Sequence, residues 1–492
     1  MIPRWLRIEP FIVLMTAAWI IGLFSVSTAP LQDLWRPLFV GLALAAVLAM
    51  VARAIRPGDR WAAIIIGPLW LLALGAWPLA AAVVLVVVWR VLVDRLRSAQ
   101  GRRAVGEPAD EQVMRVANAL GVAAALVALF SLWNSGAVRL GGPEVAVDSL
   151  PAATEQRSIY LVLLDGYPST AVLAREFGFD NAQFEADVAA RGFDVAQNSR
   201  SNYNRTLLTL VSMLNMRYVN EIPSLADARD GFAAQNRQLT GAIQDAAVPR
   251  MLKEAGYRTV AISSSYGEAT MTSVEETIST GAMTLFEEQF LRYTTVGKWL
   301  IQLSPELVGA QHRAGVTRVV ELLGDLPGGS DEPTFALAHV FSPHTPFVFR
   351  RDGSSRPLQK CYPTHCGLTT PEAGRLGLEL EEYGEALTAQ VEYLNGELLE
   401  AVDRIVRADP EAVIILFSDH GARFEEGPTD EHFETFWAAR TPGHENLFSG
   451  SVALVNTFPI LFNAYFGTAF DVLDYRAAWA PDDAPLEPIP VH

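Results

Sequence analysis

The chain has 492 residues, half of them hydrophobic, and a formal net charge of -17, which gives room for two or more domains. The first 140 residues carry 13 Arg and no Lys against 7 Asp plus Glu, a net of +6, so the remaining 352 carry -23. That acidic remainder has no basic stripe and argues against nucleic acid as a partner.

The positive N-terminal part holds apolar runs of membrane length. Phe11 to Ala29 and Pro37 to Ala52 are uncharged, and Val113 to Trp133 has only Arg115. Each is close to the roughly 20 residues that cross a bilayer. Trp61 to Val93 is apolar apart from Arg90, but as one helix it would be about 50 Å long against a hydrocarbon core of about 30 Å. Gly75 and Pro78 give it a natural break into two short spans. Five spans put MIPRWLR, ARAIRPGDR and DRLRSAQGRR inside, which gathers nearly all the arginines there, as the positive-inside rule asks. Four spans would break that rule. Residues 1–135 are therefore expected to be a multi-pass domain of the cytoplasmic membrane with the N-terminus inside. A cleaved signal peptide is the other reading of the first run.

Residues 136–157, rich in small residues, Gly and Pro, read as a linker. From Ser158 the texture changes. SIYLVLLD, RTVAIS, TFALAHVFS and AVIILFS read as strands; NAQFEADVAARG, TLLTLVSMLNM, VPRMLKEAG and ALTAQVEYLNGELLEAVDRIV read as helices. Strands alternating with helices predict an α/β fold whose largely parallel or mixed sheet is flanked by helices, over residues 158–475. The Pro- and acid-rich end, 476–492, reads as an extended surface tail.

Several strand ends carry chemistry. Asp165 ends IYLVLLDG, and Thr206 opens a helix after Asn202, Tyr203, Asn204 and Arg205. His344 follows a strand in HVFSPHTPF, and Asp419 and His420 follow AVIILFS. Ligands in open α/β sheets bind beyond the carboxyl ends of strands. A single acid there is most often structural, and Thr206 could instead be a helix N-cap; Asn204–Arg205–Thr206 also forms an N-glycosylation pattern. His339, one strand-turn earlier than His344, reads as structural. Cys361 and Cys366, the only cysteines, suggest a small disulfide-closed loop in an oxidising compartment. A metal clip using His365 is the competing reading.

LLDGYPS, NRTLLTLVS, FSPHTPF and FSDHG, in this order and rough spacing, resemble the alkaline-phosphatase/sulfatase-like superfamily. With the five-span anchor, the chain is similar to the branch of lipoteichoic acid synthases and phosphoethanolamine transferases. The resemblance implies that Asp165, Thr206, Asp419 and His420 hold one divalent metal ion, with Thr206 as nucleophile and His344 in contact with substrate. It also draws attention to His432, because related enzymes often carry a second histidine near that position; Asn204 is a further substrate-binding candidate. Those transferases usually place Glu where Asp165 stands. The C/S-x-P-x-R signature needed for formylglycine is absent, which argues against sulfate ester hydrolysis.

The chemistry is coherent on its own terms. A threonine hydroxyl becomes a useful nucleophile when a metal lowers its pKa. The helix N-terminus behind it would bind phosphoryl oxygens, Arg205 would neutralise charge, and His344 would protonate a leaving alcohol. Oxygen-rich ligation with one imidazole suits Mn or Zn, with Mg also allowed. The expectation is a phospho-alcohol head-group transferase on the outer face of the membrane. A membrane phospholipid would be its donor and a glycan or lipid its acceptor. The alternatives are a phosphodiesterase or phosphatase using water, or a non-catalytic membrane protein that keeps the fold.

Overall fold

A computed structural model describes residues 10–491 apart from 56–60, 100–107, 136–148, 152–155, 228–230, 265, 328–331, 359–377, 424–426, 449 and 482. Cys361, His365, Cys366, most of the 136–157 linker and much of the three Arg-rich segments therefore lie outside the described residues. The chain forms two compact units, one from residues 1–139 with 286–304, the other from 140–285 with 305–492.

The first unit begins with α1 (Pro10–Val26), α2 (Trp35–Ile55), α3 (Trp61–Ala73), α4 (Trp77–Ala99) and α5 (Ala109–Asn134). The long apolar run does break where expected: Gly75 has φ +77°, the left-handed region that favours glycine. Any Cβ there would also stand 2.3 Å from the Tyr293 carbonyl. Packing fixes the directions of four of these helices, with α1, α3 and α5 running one way and α2 the other. Trp70 donates to Thr16 at 3.0 Å and Trp19 to the Leu74 carbonyl at 3.0 Å, so α1 and α3 run the same way. Phe11 N–H donates to Asn118 at 3.0 Å, and Leu132 clusters with Phe24, so α5 runs with them. Ala45 and Ala49 of α2 pack instead on Phe11 and Met15, which reverses α2. Among the described residues, two helical stretches, Leu31–Val51 and Ala109–Asn134, are long and apolar enough to cross a membrane; Pro10–Val26 and Trp61–Ala73 are apolar but shorter.

The second unit starts with β1 (Ile159–Leu164), α6 (Thr170–Phe177), α7 (Ala182–Ala189), β2 (Asp194–Val195) and β3 (Asn198–Arg200). Next come α8 (Thr206–Asn215), α9 (Phe232–Gln244), α10 (Ala247–Glu254), β4 (Arg258–Ser263) and β5 (Glu276–Ser279). The chain then forms α11 (Leu285–Tyr293) and α12 (Thr295–Leu303). These join the first unit from residue 286 to 304, a departure from the expected boundary at 135. The cause is apolar: Phe286 and Phe290 pack on Ile20, Phe24 and Leu132. The second unit resumes with α13 (Glu306–Asp325), β6 (Thr334–Val340), α14 (Leu380–Ala408), β7 (Val413–Phe417) and β8 (Trp437–Arg440). It closes with β9 (Ser451–Ala453), α15 (Thr457–Phe466), β10 (Ala477–Trp479) and β11 (Ile489–Val491).

The main sheet has the order β2–β8–β7–β1–β6–β4–β5. β7, β1, β6, β4 and β5 are parallel, and β8 and then β2 extend one edge by antiparallel pairing. Every residue of β1, β6 and β7 is buried, which is why their sequences read as continuous apolar runs. Alternate residues of β1 serve opposite faces. Leu161 and Leu163 meet α8 and α15, while Val162 and Leu164 meet α13 and α14. Each such buried aliphatic side chain contributes about 1.5–3 kcal/mol relative to exposure.

The expected extended tail is instead a small two-stranded sheet. β10 and β11 pair antiparallel, and Ala478 N–H donates to the Asn202 carbonyl at 2.9 Å. Backbone that would otherwise be unpaired finds partners in its own return strand.

Candidate active site

Register brings the motifs together. Leu164 pairs with Val340, and Leu163 with Phe417. Asp165, the loop carrying His344, and Asp419–His420 therefore leave the carboxyl ends of three adjacent parallel strands. Two loops are stitched across this edge. The N–H of Tyr167 donates to Ser418 Oγ at 2.8 Å, and that hydroxyl donates to the His420 carbonyl at 2.7 Å. The Gly166 N–H donates to Asp419 Oδ1 at 3.1 Å. Gly421 is obligatory here, since a Cβ would stand 1.9 Å from the Glu431 carbonyl.

The two site histidines have defined tautomers. His420 Nδ1 faces the Gly421 carbonyl at 2.8 Å, and His344 Nδ1 faces the Thr345 carbonyl at 2.8 Å. A carbonyl only accepts, so each Nδ1 carries the proton and each Nε2 presents a lone pair. His420 Nε2 lies 3.4 Å from Asp165 Oδ1 and 3.5 Å from Asp419 Oδ2. All three atoms are buried without a hydrogen-bond partner. Three acceptors facing one another with no donor between them fit a cation. His344 joins this group: one ligand atom each from Asp165, His344 and His420 lies within 4.8 Å of the others.

Asp165 has further support. His339 Nε2 donates to its Oδ2 at 2.9 Å, while His339 Nδ1 accepts from Ser264 Oγ at 3.0 Å. Burial pushes the Asp165 carboxyl up, but His344 and the His339 N–H outweigh it and hold it well below the usual carboxylate range. The histidine read from sequence as structural thus orients a candidate ligand, the arrangement that fixes metal sites elsewhere. The signal available was its place on the same strand as the His344 motif, on the face register leads toward Asp165.

Thr206 is the first residue of α8, and Arg205 is the N-cap, with no side-chain cap bond. The N-cap reading of Thr206 therefore fails, and the first turn keeps N–H groups that suit an anion. That turn is pinned to the metal-side loop, because Thr209 Oγ1 donates to the Asp419 carbonyl at 2.9 Å. Arg205 is held elsewhere: its Nε donates to the Ala480 carbonyl at 3.4 Å and its guanidinium lies over Phe232 at 5.9 Å. Arg423, which sequence reasoning missed, lines the pocket with His344, His420 and Tyr383, and its guanidinium donates to the Asn204 carbonyl at 2.5 Å. Asn204 is likewise committed to structure. Its Oδ1 accepts from Ala480 N–H at 2.8 Å and its Nδ2 donates to the Ala480 carbonyl at 3.4 Å. His432 is buried, with its ring 4.9 Å from that of Trp479. Its carbonyl accepts from Gly421 N–H at 2.8 Å. Burial, then Arg423 and His420, lower its pKa to about 3.

A family model described as Sulfatase matches residues 186–446, more than half of the chain. The chain belongs to the sulfatase family. Among solved structures, this sulfatase-family chain is similar to the zinc complex of the C-terminal periplasmic domain of EcEptC from Escherichia coli. The two are 14% identical, with 68% of this chain and 93% of that one covered and a TM-score of 0.42. The phosphonate monoester hydrolase of Agrobacterium radiobacter is 14% identical over 66% of this chain and 80% of that one, with a TM-score of 0.41. The lipoteichoic acid synthase LtaP from Listeria monocytogenes is 12% identical over 67% and 77%, with a TM-score of 0.37. No curated protein matches the chain.

Proposed function

We propose that this sulfatase-family protein is a membrane-anchored transferase that moves a phospho-alcohol head group from a phospholipid to a glycan or lipid alcohol. The observation that carries the reading is the convergence of Asp165 Oδ1, Asp419 Oδ2 and His420 Nε2, buried and unpartnered, beside an uncapped helix that opens with a hydroxyl. Asp165, Asp419, His420 and Thr206 would hold one divalent ion; Mn or Zn suits this set, and Mg is compatible. Such an ion supplies positive charge and lowers the pKa of an adjacent hydroxyl.

The chain's own groups do the rest. Thr206 Oγ attacks the phosphorus of the donor phosphodiester as its proton passes to His344 Nε2, forming a P–O bond to the enzyme. The bond from phosphorus to the lipid glycerol oxygen breaks, and the departing alcohol takes a proton from His344. The acceptor hydroxyl then attacks the phosphothreonine and gives its proton to His344, which passes it to the departing Thr206 oxygen. N–H groups of the first turn of α8 hold the non-bridging oxygens, and Arg423 offsets their charge.

The first unit would anchor this chemistry through five spans with the N-terminus inside. The shared direction of α1, α3 and α5 with α2 reversed, the turn at Gly75 and the arginine distribution support that topology. So do Leu126, Val127 and Phe130 of α5, which expose 62–68% of their surfaces, as lipid-facing side chains do.

Phospholipid labelled in its head group tests the proposal. Without acceptor, label should become covalently bound at Thr206 and be absent from Thr206→Ala. With acceptor it should move to the glycan or lipid; release as free head group would make the enzyme a hydrolase. Undiminished turnover in Thr206→Ala would defeat the mechanism.

A further inference from the structure

Helix α12 has three sides. Gly297 and Ile301 are buried, Lys298 and Gln302 are polar and exposed, and Val296, Trp299, Leu300 and Leu303 form an exposed apolar stripe. The stripe has the i, i+3, i+4, i+7 spacing of one helix face. Trp299 and Leu303 are 68% and 76% exposed, an unusual state for large members of such a face.

The level of the helix in the first unit is fixed by bonds. Thr295 Oγ1 donates to the Leu72 carbonyl at 2.8 Å, near the end of α3. Arg36, at the start of α2, pairs with Glu287 at 2.6 Å. Phe286 meets Phe24, near the end of α1, edge-on at 5.1 Å. Residues 286–304 therefore lie across the end of the bundle where α1, α3 and α5 finish. There α3 also exposes Leu69 and Leu72.

We infer that α12 is an interfacial helix whose Val296–Trp299–Leu300–Leu303 face inserts into the outer leaflet of the lipid bilayer. The inference rests on the spanning topology proposed above, which makes this end of the bundle the outer membrane surface. Lipid is the occupant the observations favour. The stripe lies at the level where spanning helices leave the hydrocarbon, and it pairs a tryptophan with aliphatic residues. Tyr293 stands beside it, half-exposed, and Lys298 faces the aqueous side. Aromatic rings at that level and a basic residue above them are the signature of an in-plane helix.

Photo-crosslinking in the full chain tests this. The photoreactive residue p-benzoylphenylalanine is placed singly at Trp299, Leu303, Lys298 and Leu126, and the chain is reconstituted into phosphatidylethanolamine–phosphatidylglycerol vesicles carrying radiolabelled lipid. Lipid adducts should form at 299 and 303 severalfold above the level at 298, with 126 on α5 as the spanning control. Adducts at 126 with none at 299 and 303, or crosslinked dimers at those two sites instead, would overturn the inference alone. Absence of adducts at all four positions would overturn the spanning topology, and the inference with it.

Discussion

Replacing Asp419 by Asn separates a metal centre from an ordinary buried acid. Asn keeps the oxygen that accepts from Gly166 N–H and replaces Oδ2, which has no partner, by an amide donor facing the His420 Nε2 lone pair. It also removes one of two carboxylates. Asp165 Oδ1 and Asp419 Oδ2 are no more than about 7 Å apart, the two distances to His420 Nε2 laid end to end. At an effective dielectric of about 20 their repulsion is about 2 kcal/mol. In chelator, Asp419→Asn should therefore unfold at higher urea than wild type, by about 2 kcal/mol or a few degrees in Tm. Added Mn or Zn should reverse the order. Wild type gains about 2.7 kcal/mol at a metal concentration of about 100 times Kd, and the variant gains little. Urea titrations with and without metal read both effects. A variant less stable than wild type in chelator, yet equally stabilised by metal, would refute the reasoning.

Three further outcomes follow from the same geometry. His339→Gln should weaken metal binding by about 10–100-fold, the usual cost of losing an orienting partner, while calorimetric titration shows unchanged stoichiometry. Gly421→Ala has to displace the Glu431 carbonyl, 1.9 Å from the new methyl, so folded yield and head-group release should fall together. His312 and His432 are buried as neutral rings. Burial and then His344 lower the pKa of His312 to about 4, and His432 falls to about 3, against 6.5 for a free ring. The unfolded chain takes up these protons first, so their stabilisation is full above pH 6.5 and is lost as pH falls toward 4. The loss is on the order of 2 kcal/mol per histidine by pH 5. The urea midpoint of wild type should therefore fall more steeply between pH 7 and 5 than that of His312→Phe, and parallel curves would count against it.

The strands that end in Asp165 and in Asp419–His420 were legible because burial on both faces forces unbroken apolar runs, and the acid that stops each run is conspicuous. Their meeting at one edge was legible only as a fold-level expectation; the pairing of Leu163 with Phe417 and Leu164 with Val340 makes it geometry. Side-chain direction was the poorly legible part. Arg205 drew attention by adjacency to Thr206, but its extended N-cap conformation (φ -141°, ψ 137°) leaves it on Ala480 and Phe232. Arg423, distant in sequence from Thr206, reaches the pocket through a loop whose path no periodicity encodes. The tail misled for a similar reason: a Pro-rich segment looks extended until its return strand, ten residues on, is seen to pair with it.

On the spanning topology proposed above, the division of the chain bears on release from the membrane. Covalent passages between the two units occur not only after Arg139 but also at 285–286 and 304–305. A protease that severs the segment around 136–157 would cut one passage and leave the other two. The severed catalytic portion would still own a helical pair seated on Phe24 and Leu132 by Phe286 and Phe290. Shedding would then require extraction of that pair as well as a cut, so a single nick should yield a membrane-retained, two-piece protein.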